Sequence, residues 1–542
     1  MKGNILSRTF LAAILFFIFS KSAISAEIYF SENSETDKYV VVLKDKKNGN
    51  RELISKYAGL KHSEKAALMA YENRLNIRRV YNEVINGFVV EGDLDSVKEL
   101  SKNPEVEYIE QVGKVSISAT QYEAVWNLDR IDQRNKNYDG KYTYDRTGSG
   151  VNAYIIDTGI RISHSEFEGR AKAGWDFVLN QVGDGTDCHG HGTHVAGIVG
   201  GKTYGVAKAV TLTALRVLAC DGYGSNDDVI AALEWVIQNG KKPGVINMSL
   251  GSGASLAVDT AVKNAINAGF AVVAAAGNEA QDACNRSPAR AKEVITVGAT
   301  DRNDRVAWFS NYGQCLDVWA PGVDIISADS SSDKASILRD GTSMAAPHVT
   351  GIAALYLQGS PNASANSVIN NIMGKVTYGK LVNIPPEREC PNLLAYSKGT
   401  SNTYTAIHRY YNGEVKNHFY TKNWSELQSA PTPTWRYEGV IGYAYRKNTE
   451  NTKPFYRYYH SGVKDHFYTT NYGELGSGHS GWVYEGIAAY LPTSGNTKDI
   501  YRYYNSMVKD HFYTTSWGEL EGGNSNWKYE GIAGKIFAGP QD

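Results

Sequence analysis

Between Val151 and Tyr396 the chain sets five apolar runs among segments of helical spacing: AYIID (153–157), VTLTALRVL (210–218), VINMSL (245–250), AVVAAAG (271–277) and VITVGA (294–299). The runs show little alternation of polar with apolar residues. A strand with one face in water has to alternate, so these runs are covered on both faces. They predict an α/β block built on a doubly wound parallel sheet. Such a sheet gathers its reacting groups outside the carboxyl ends of its strands.

The flanks read differently. Lys2 and Arg8 precede an unbroken apolar run, Phe10–Phe19, followed by small residues through Ala26. That is the layout of a secretory signal over residues 1–26, and the run is too short to span a bilayer, which takes about 20 apolar residues. Next come a strand-like Tyr39–Leu43, helical spacing over Ser63–Val80, a strand-like Gly87–Glu91, a helical Leu94–Leu100 and a strand-like Val106–Ile109. Together they predict a small α+β domain of β-α-β-α-β order within residues 27–118. After Ser401 fall 19 of the 36 tyrosines, in three copies of one pattern. RYYN (409–412), RYYH (457–460) and RYYN (502–505) each lead to HFYT (at 418, 466 and 511) and then to YEG (at 437, 484 and 529). Regular recurrence of aromatic, strand-favouring segments predicts an all-β three-repeat domain over 402–542, closed about a pseudo-threefold axis as in a β-trefoil or a three-bladed arrangement. Lys+Arg 56 balances Asp+Glu 57, which argues against nucleic acid or an anionic membrane as partner.

Three segments carry chemistry. Asp157 ends the first buried run, just before Gly159; His191 lies in HGHGTHVAG (189–197); Ser343 lies in DGTSMAAPHVTG (340–351), where a loop enters an apolar helix. A serine hydroxyl becomes a nucleophile when an imidazole takes its proton, and the imidazole needs a carboxylate to hold its tautomer and its charge. Asp157, His191 and Ser343 supply these groups, and the helix N-terminus at Ser343 offers N–H groups to a developing oxyanion. His189, His191 and His194 have a spacing that would also suit a metal, so a zinc hydrolase competes; no further ligands are identifiable, and glycine separates the histidines. An adhesin or carbohydrate-binding protein is the other alternative. Five cysteines leave fifteen two-bridge patterns (five choices of the one left over, three pairings each).

These segments, in the order Asp, His, Ser, resemble the subtilisin-like serine proteases (subtilases), and the similarity is closest to the proteinase K branch and its secreted aqualysin-like enzymes. It runs through WNLDRIDQR (126–134), GSGVNAYIIDTGI (148–160), INMSLG (246–251), AAAGNE (274–279), FSNYGQCLD (309–317) and PNLLAY (391–396), about half of the chain. The resemblance implies a subtilisin-like catalytic domain over 119–398, with Asp157, His191 and Ser343 as triad and the Asn278 amide as oxyanion donor. It implies an extended protein or peptide substrate between two edge strands, Gly222-Tyr223-Gly224-Ser225 and Ser249-Leu250-Gly251. Ala275, Ala276 and Gly277 would wall a roomy specificity pocket, giving broad endopeptidase specificity. Cys188–Cys220 and Cys284–Cys315 would be bridged, leaving Cys390 as a buried thiol. A structural calcium ion is implied at Asp317 with the carbonyls of Lys292 and Val294; no organic cofactor is. Residues 27–118 resemble the inhibitor-type propeptide, whose end (115–118) would occupy the cleft until self-cleavage before Ala119. The product is expected to be a secreted monomer with a bacterial-type signal. In the tail, Phe419, Phe467, Phe512, Trp435, Trp482 and Trp527 read as core and His418, His466 and His511 as hydrogen-bonded structural residues. Exposed Tyr and Trp near the repeat turns would stack on a glycan or cell-wall ligand.

Overall fold

The computed structural model describes residues 25–29, 37–44, 57, 59–112, 119–384, 390–398, 404–428, 434–449 and 451–540. Nearly all of the expected secretory leader, and residues 113–118 at the end of the expected propeptide, lie outside them. The chain divides into two compact units, Met1–Val115 and Ser116–Asp542.

The first unit is a five-stranded sheet in the order Glu27–Tyr29, Val106–Gln111, Lys38–Leu43, Gly87–Glu91, Asn76–Tyr81. Helices His62–Glu72 and Leu94–Ser101 contribute Ala66, Met69, Val97 and Leu100 to its core. The helix expected over Ser63–Val80 therefore stops at Glu72. Asn73 caps it, its amide donating to the Met69 carbonyl (2.8 Å), and Arg74 turns the chain out of the helix at φ 58°. NIRRVY then forms a strand that pairs with Gly87–Glu91, so a cap and a tertiary partner override the helical spacing.

In the second unit the five apolar runs form the middle of one ten-stranded sheet. Its order is Gln181–Val182, Ala171–Asp176, Thr211–Arg216, Asn152–Asp157, Gly244–Met248, Ala271–Ala275, Ile295–Thr300, Val318–Pro321, Leu393–Leu394, Thr377–Tyr378. The core pairs are parallel and only the two outermost pairs run antiparallel. After Asn152–Asp157 the chain first lays Ala171–Asp176 and then Thr211–Arg216 on one side, and then crosses to Gly244–Met248 on the other. Asn152–Asp157 is therefore the switch point, and its last residue is Asp157. Helix Thr342–Gly359 is buried along almost its whole length, which accounts for its apolar composition on every face.

Residues 404–540 add nine strands in three hairpin units, each a short strand, a first strand and a long strand side by side. The short strands Asn417–Thr421, Asp465–Thr469 and Asp510–Thr514 meet at a common centre, where three tyrosines close a ring. Tyr420 Oη donates to the Tyr513 carbonyl, Tyr513 Oη to that of Tyr468 and Tyr468 Oη to that of Tyr420, each at 2.9 Å. Each hydroxyl also accepts a backbone N–H from a neighbouring unit. Arg409, Arg457 and Arg502 bind Glu519, Glu426 and Glu474 of neighbouring units in the same cyclic sense. His418 reaches Asp510 (2.6 Å) and His511 reaches Asp465 (2.5 Å), whereas His466 meets Asn417 (3.4 Å). Burial, followed by the positive charge of Arg457, pushes His466 down to about 3. Phe419, Phe467 and Phe512 are buried; Trp435, Trp482 and Trp527 are half-buried.

Candidate active site

Asp157 is fully buried, and its Oδ1 lies 2.7 Å from His191 Nδ1. His191 opens helix His191–Gly200, and the glycines around it serve close approach: a Cβ at Gly192 would stand 2.1 Å from the Gly159 carbonyl oxygen. Asp187 props this corner. One of its oxygens accepts from the N–H groups of His189 and Gly190, the other from the N–H and hydroxyl of Thr193. Burial opposes charging His191, but the charge and hydrogen bond of Asp157 prevail and raise its pKa above the usual value. The other two histidines go elsewhere. His194 sits between the carbonyls of Ile325 and Ile337 (3.0 Å each), and burial pushes it down to about 3; the His189 ring stands against Gly222. Among the described residues no three His, Cys, Asp or Glu side chains gather as a metal site.

Ser343 lies in the first turn of helix Thr342–Gly359, entered through Gly341 at φ 147°. Asn278 is held beside it: its Oδ1 accepts from the Thr342 N–H (2.8 Å) and hydroxyl (2.9 Å), which leaves the amide N–H groups to face elsewhere. Ser343 Oγ donates to the Ser249 carbonyl (3.1 Å), so in this conformation its hydroxyl is turned to that oxygen rather than to His191. Catalytic hydrogen bonds are often made only once substrate is bound. A feature missed in the sequence lies four residues on. Pro347 has no N–H, so the Ser343 carbonyl loses its helical partner. The hydroxyl of Ser249 replaces it, donating at 2.8 Å, and itself accepts from Asn247 Nδ2 (2.9 Å), whose Oδ1 accepts from the buried Thr350 hydroxyl (2.8 Å). The signal was the proline in the motif; its partners were too distant in sequence to be paired with it.

The expected edge strands are corrected. Residues 249–251 lie in irregular chain between strands Gly244–Met248 and Ser252–Gly253, and residues 222–225 contain a single bridge, Leu218 with Gly224. Strand geometry is defined by ladder hydrogen bonds, and an open edge waits for a partner strand to supply them. Tyr223 is 78% exposed at this edge. Ala275 ends its strand; Ala276 and Gly277 follow it, tied to Asn311 and Thr342. The disulfides are Cys188–Cys220 and Cys284–Cys315. Cys390 is half-buried rather than buried, packed at the rim of the small core around Trp319, and its sulfur accepts the Gly313 N–H at 3.2 Å.

The expected calcium ligands meet an unforeseen neighbour. Asp317 Oδ2 accepts from the Thr296 N–H and Oδ1 from the indole N–H of Trp424, each at 2.8 Å. Trp424 belongs to the tail, and with Tyr410 and Phe419 it shares one core with the catalytic strands. Divalent cations such as calcium take oxygen ligands. With the positive end of the indole N–H held at Oδ1, a cation there would meet like charge, so Asp317, Lys292 and Val294 do not fit the ion while Trp424 is in place.

Comparison with known proteins agrees with this geometry. The subtilase family profile matches residues 148–396, that of peptidase inhibitor I9 residues 38–118, and that of a domain of unknown function residues 406–537. The "Extracellular serine proteinase" of Thermus sp. (strain Rt41A) is 53% identical over 59% of this chain and 78% of its own length. The "Alkaline serine exoprotease A" of Vibrio alginolyticus is 46% identical over 60% of each chain. The "Cuticle-degrading serine protease" of Arthrobotrys oligospora is 41% identical over 67% of this chain and 90% of its own. The solved structure of a cold adapted subtilisin-like serine proteinase is 46% identical, covering 51% of this chain and 99% of its own, with a TM-score of 0.49. With more than three quarters of a serine proteinase matched at 53% identity, the chain belongs to the subtilase family: it is a serine peptidase with an I9-type inhibitor segment ahead of its catalytic domain.

Proposed function

We propose that the chain is an exported endopeptidase of broad specificity, made as a precursor that cuts itself. The observation that carries the reading is the hydrogen-bonded Asp157–His191 pair at the switch point of the sheet, with Ser343 on a helix N-terminus beside Asn278. In this reading Ser343 Oγ attacks the substrate carbonyl carbon as His191 takes its proton, while Asp157 holds the imidazole in the tautomer that can accept it. The oxygen that becomes negative is met by the Asn278 amide and the backbone N–H of Ser343, donors fixed before the reaction begins. His191 then returns the proton to the departing amine. Water attacks the acyl-enzyme with the same imidazole as base, which restores Ser343.

Substrate would complete the open edges at 222–224 and 249–251 by main-chain pairing, and the small residues 275–277 leave room for aliphatic or aromatic side chains. Signal (1–26), propeptide (27–118), catalytic domain (119–398) and tail (402–542) are the proposed parts. The division of the structure near residue 115 supports the second boundary. So does the pairing of Ala119–Tyr122 with Lys141–Tyr144 inside the catalytic unit. Export is supported by the leader-like N-terminus and by the name of the Thermus relative.

For the tail we propose a targeting module for a glycan or cell-wall surface. Three strands in each unit favour a three-bladed arrangement over a β-trefoil. Tyr472 and Trp517, at equivalent places in the second and third units, are 44% and 42% exposed and stand beside further tyrosine rings. Flat aromatic faces of this kind stack on sugar rings.

Sequencing the N-terminus of the released product, with and without Ser343→Ala, tests the central reading. The parent should begin at Ala119 and react with a serine-directed fluorophosphonate; the variant should accumulate as an unlabelled, uncut precursor. Normal processing of the variant would mean that another protease does the cutting.

A further inference from the structure

The second and third units show that the burial of Trp424 is not a property of the repeat. NWSEL (423–427), NYGEL (471–475) and SWGEL (516–520) are corresponding segments, and Tyr472 and Trp517 present their rings to solvent. Trp424, at the same place in the first unit, is 5% exposed because it has entered the catalytic domain. Its ring is held by His408, Tyr437 and Tyr410, at centroid distances of 5.0, 5.1 and 6.0 Å. The next residue fastens the insertion: Ser425 N–H donates to Asn370 Oδ1, and Asn370 Nδ2 donates to Ser425 Oγ, each at 3.0 Å. Beside the indole lies a cavity of about 170 Å³ lined by Asp317, Lys292, Trp424 and Tyr437 among others.

We propose that Trp424 takes the place of a divalent cation at Asp317, so that the docked tail and a cation compete for this carboxylate. A buried carboxylate must be compensated by charge or by donors, and here the indole and the Thr296 amide provide the donors. A cation bound to the same Oδ1 would face the partial positive charge of the indole hydrogen. The cation can therefore bind well only when Trp424 has withdrawn, and each occupant weakens the other by the same factor. The tail then does for the catalytic domain what a bound ion would do: it ties the strand at Val318–Pro321 to a neighbouring element through Asp317.

Thermal unfolding of the full chain, in a Ser343→Ala background to prevent autolysis, tests the competition. Trp424→Phe keeps the ring and removes only the N–H. Midpoints are compared in excess EDTA and in millimolar calcium, so that calcium sites elsewhere contribute equally to every variant. Calcium should raise the midpoint of Trp424→Phe by several degrees more than that of the parent, and adding Asp317→Asn should abolish the excess. Equal calcium shifts in parent and Trp424→Phe, or an excess that survives Asp317→Asn, would overturn the proposal. If Trp424→Phe does not fold, the parent alone answers. A calcium shift unchanged by Asp317→Asn supports occupation by the indole, and a shift that Asp317→Asn removes refutes it.

Discussion

Replacing Ser249 by alanine should damage the nucleophile's helix through a backbone group rather than through the nucleophile itself. The Ser343 carbonyl has lost its helical donor to Pro347, and the Ser249 hydroxyl is its replacement at 2.8 Å. Without that hydroxyl, the carbonyl of the half-buried Ser343 and the Nδ2 of the buried Asn247 both lose their partner. Each unpaired group costs about 1–3 kcal/mol, so Ser249→Ala is expected to cost about 2–6 kcal/mol, a large share of the roughly 5–15 kcal/mol that a domain has. Pro347→Ala restores an N–H four residues after Ser343. In that background the carbonyl regains a donor, and Ser249→Ala should cost less by about 1–3 kcal/mol, the share of one satisfied group. Urea unfolding of the four members of this cycle, built on Ser343→Ala so that no chain digests another, measures the difference. A cost that is the same in both backgrounds to within about 0.5 kcal/mol would show that the proline and the serine do not share this carbonyl.

Two further outcomes follow from the site and the tail. The raised pKa of His191 places the acid limb of kcat/KM above the ~6.5 of a free histidine, because the imidazole must be unprotonated to take the serine's proton. Asp157→Asn should move that limb to lower pH and cut turnover by about 10⁴; a limb that stays in place would remove Asp157 as its cause. In stability the sign is opposite: the pair's contribution is complete below the unfolded-state pKa and fades as pH rises through the raised one. For the tail, Tyr472→Ala with Trp517→Ala in the full chain should abolish retention on insoluble cell-wall material and leave turnover of a soluble peptide unchanged. Retention equal to the parent's would remove the targeting role from these two rings.

The sheet and the Asp157–His191 pair were legible because their determinants are local. A doubly buried strand has to be apolar along its length, and the motif residues carry their chemistry wherever they sit. The apolar runs overshot at 249–250 and 276–277 because hydrophobicity marks burial and says nothing of where a ladder stops. The helix expected through Val80 failed at Asn73 and Arg74, where a cap and a left-handed residue counted for more than spacing. Asp317 and Trp424 are 107 residues apart, and nothing in the periodicity of either segment refers to the other. Asp187 was passed over because a lone acid before a cysteine is indistinguishable from a turn residue until its five donors are seen.

The ring formed by Tyr420, Tyr468 and Tyr513 has a bearing on how the molecule ages in a medium that it fills with its own activity. In a row of stacked repeats the last one can be clipped away and the remainder still has intact interfaces. Here each hydroxyl serves a neighbour and is served by another, so losing any one unit strands a donor and an acceptor on both survivors at the centre. Trimming by one unit is therefore not a stopping point. Degradation of the tail should run to completion once begun, and the partly digested population should contain chains with all three units or with none.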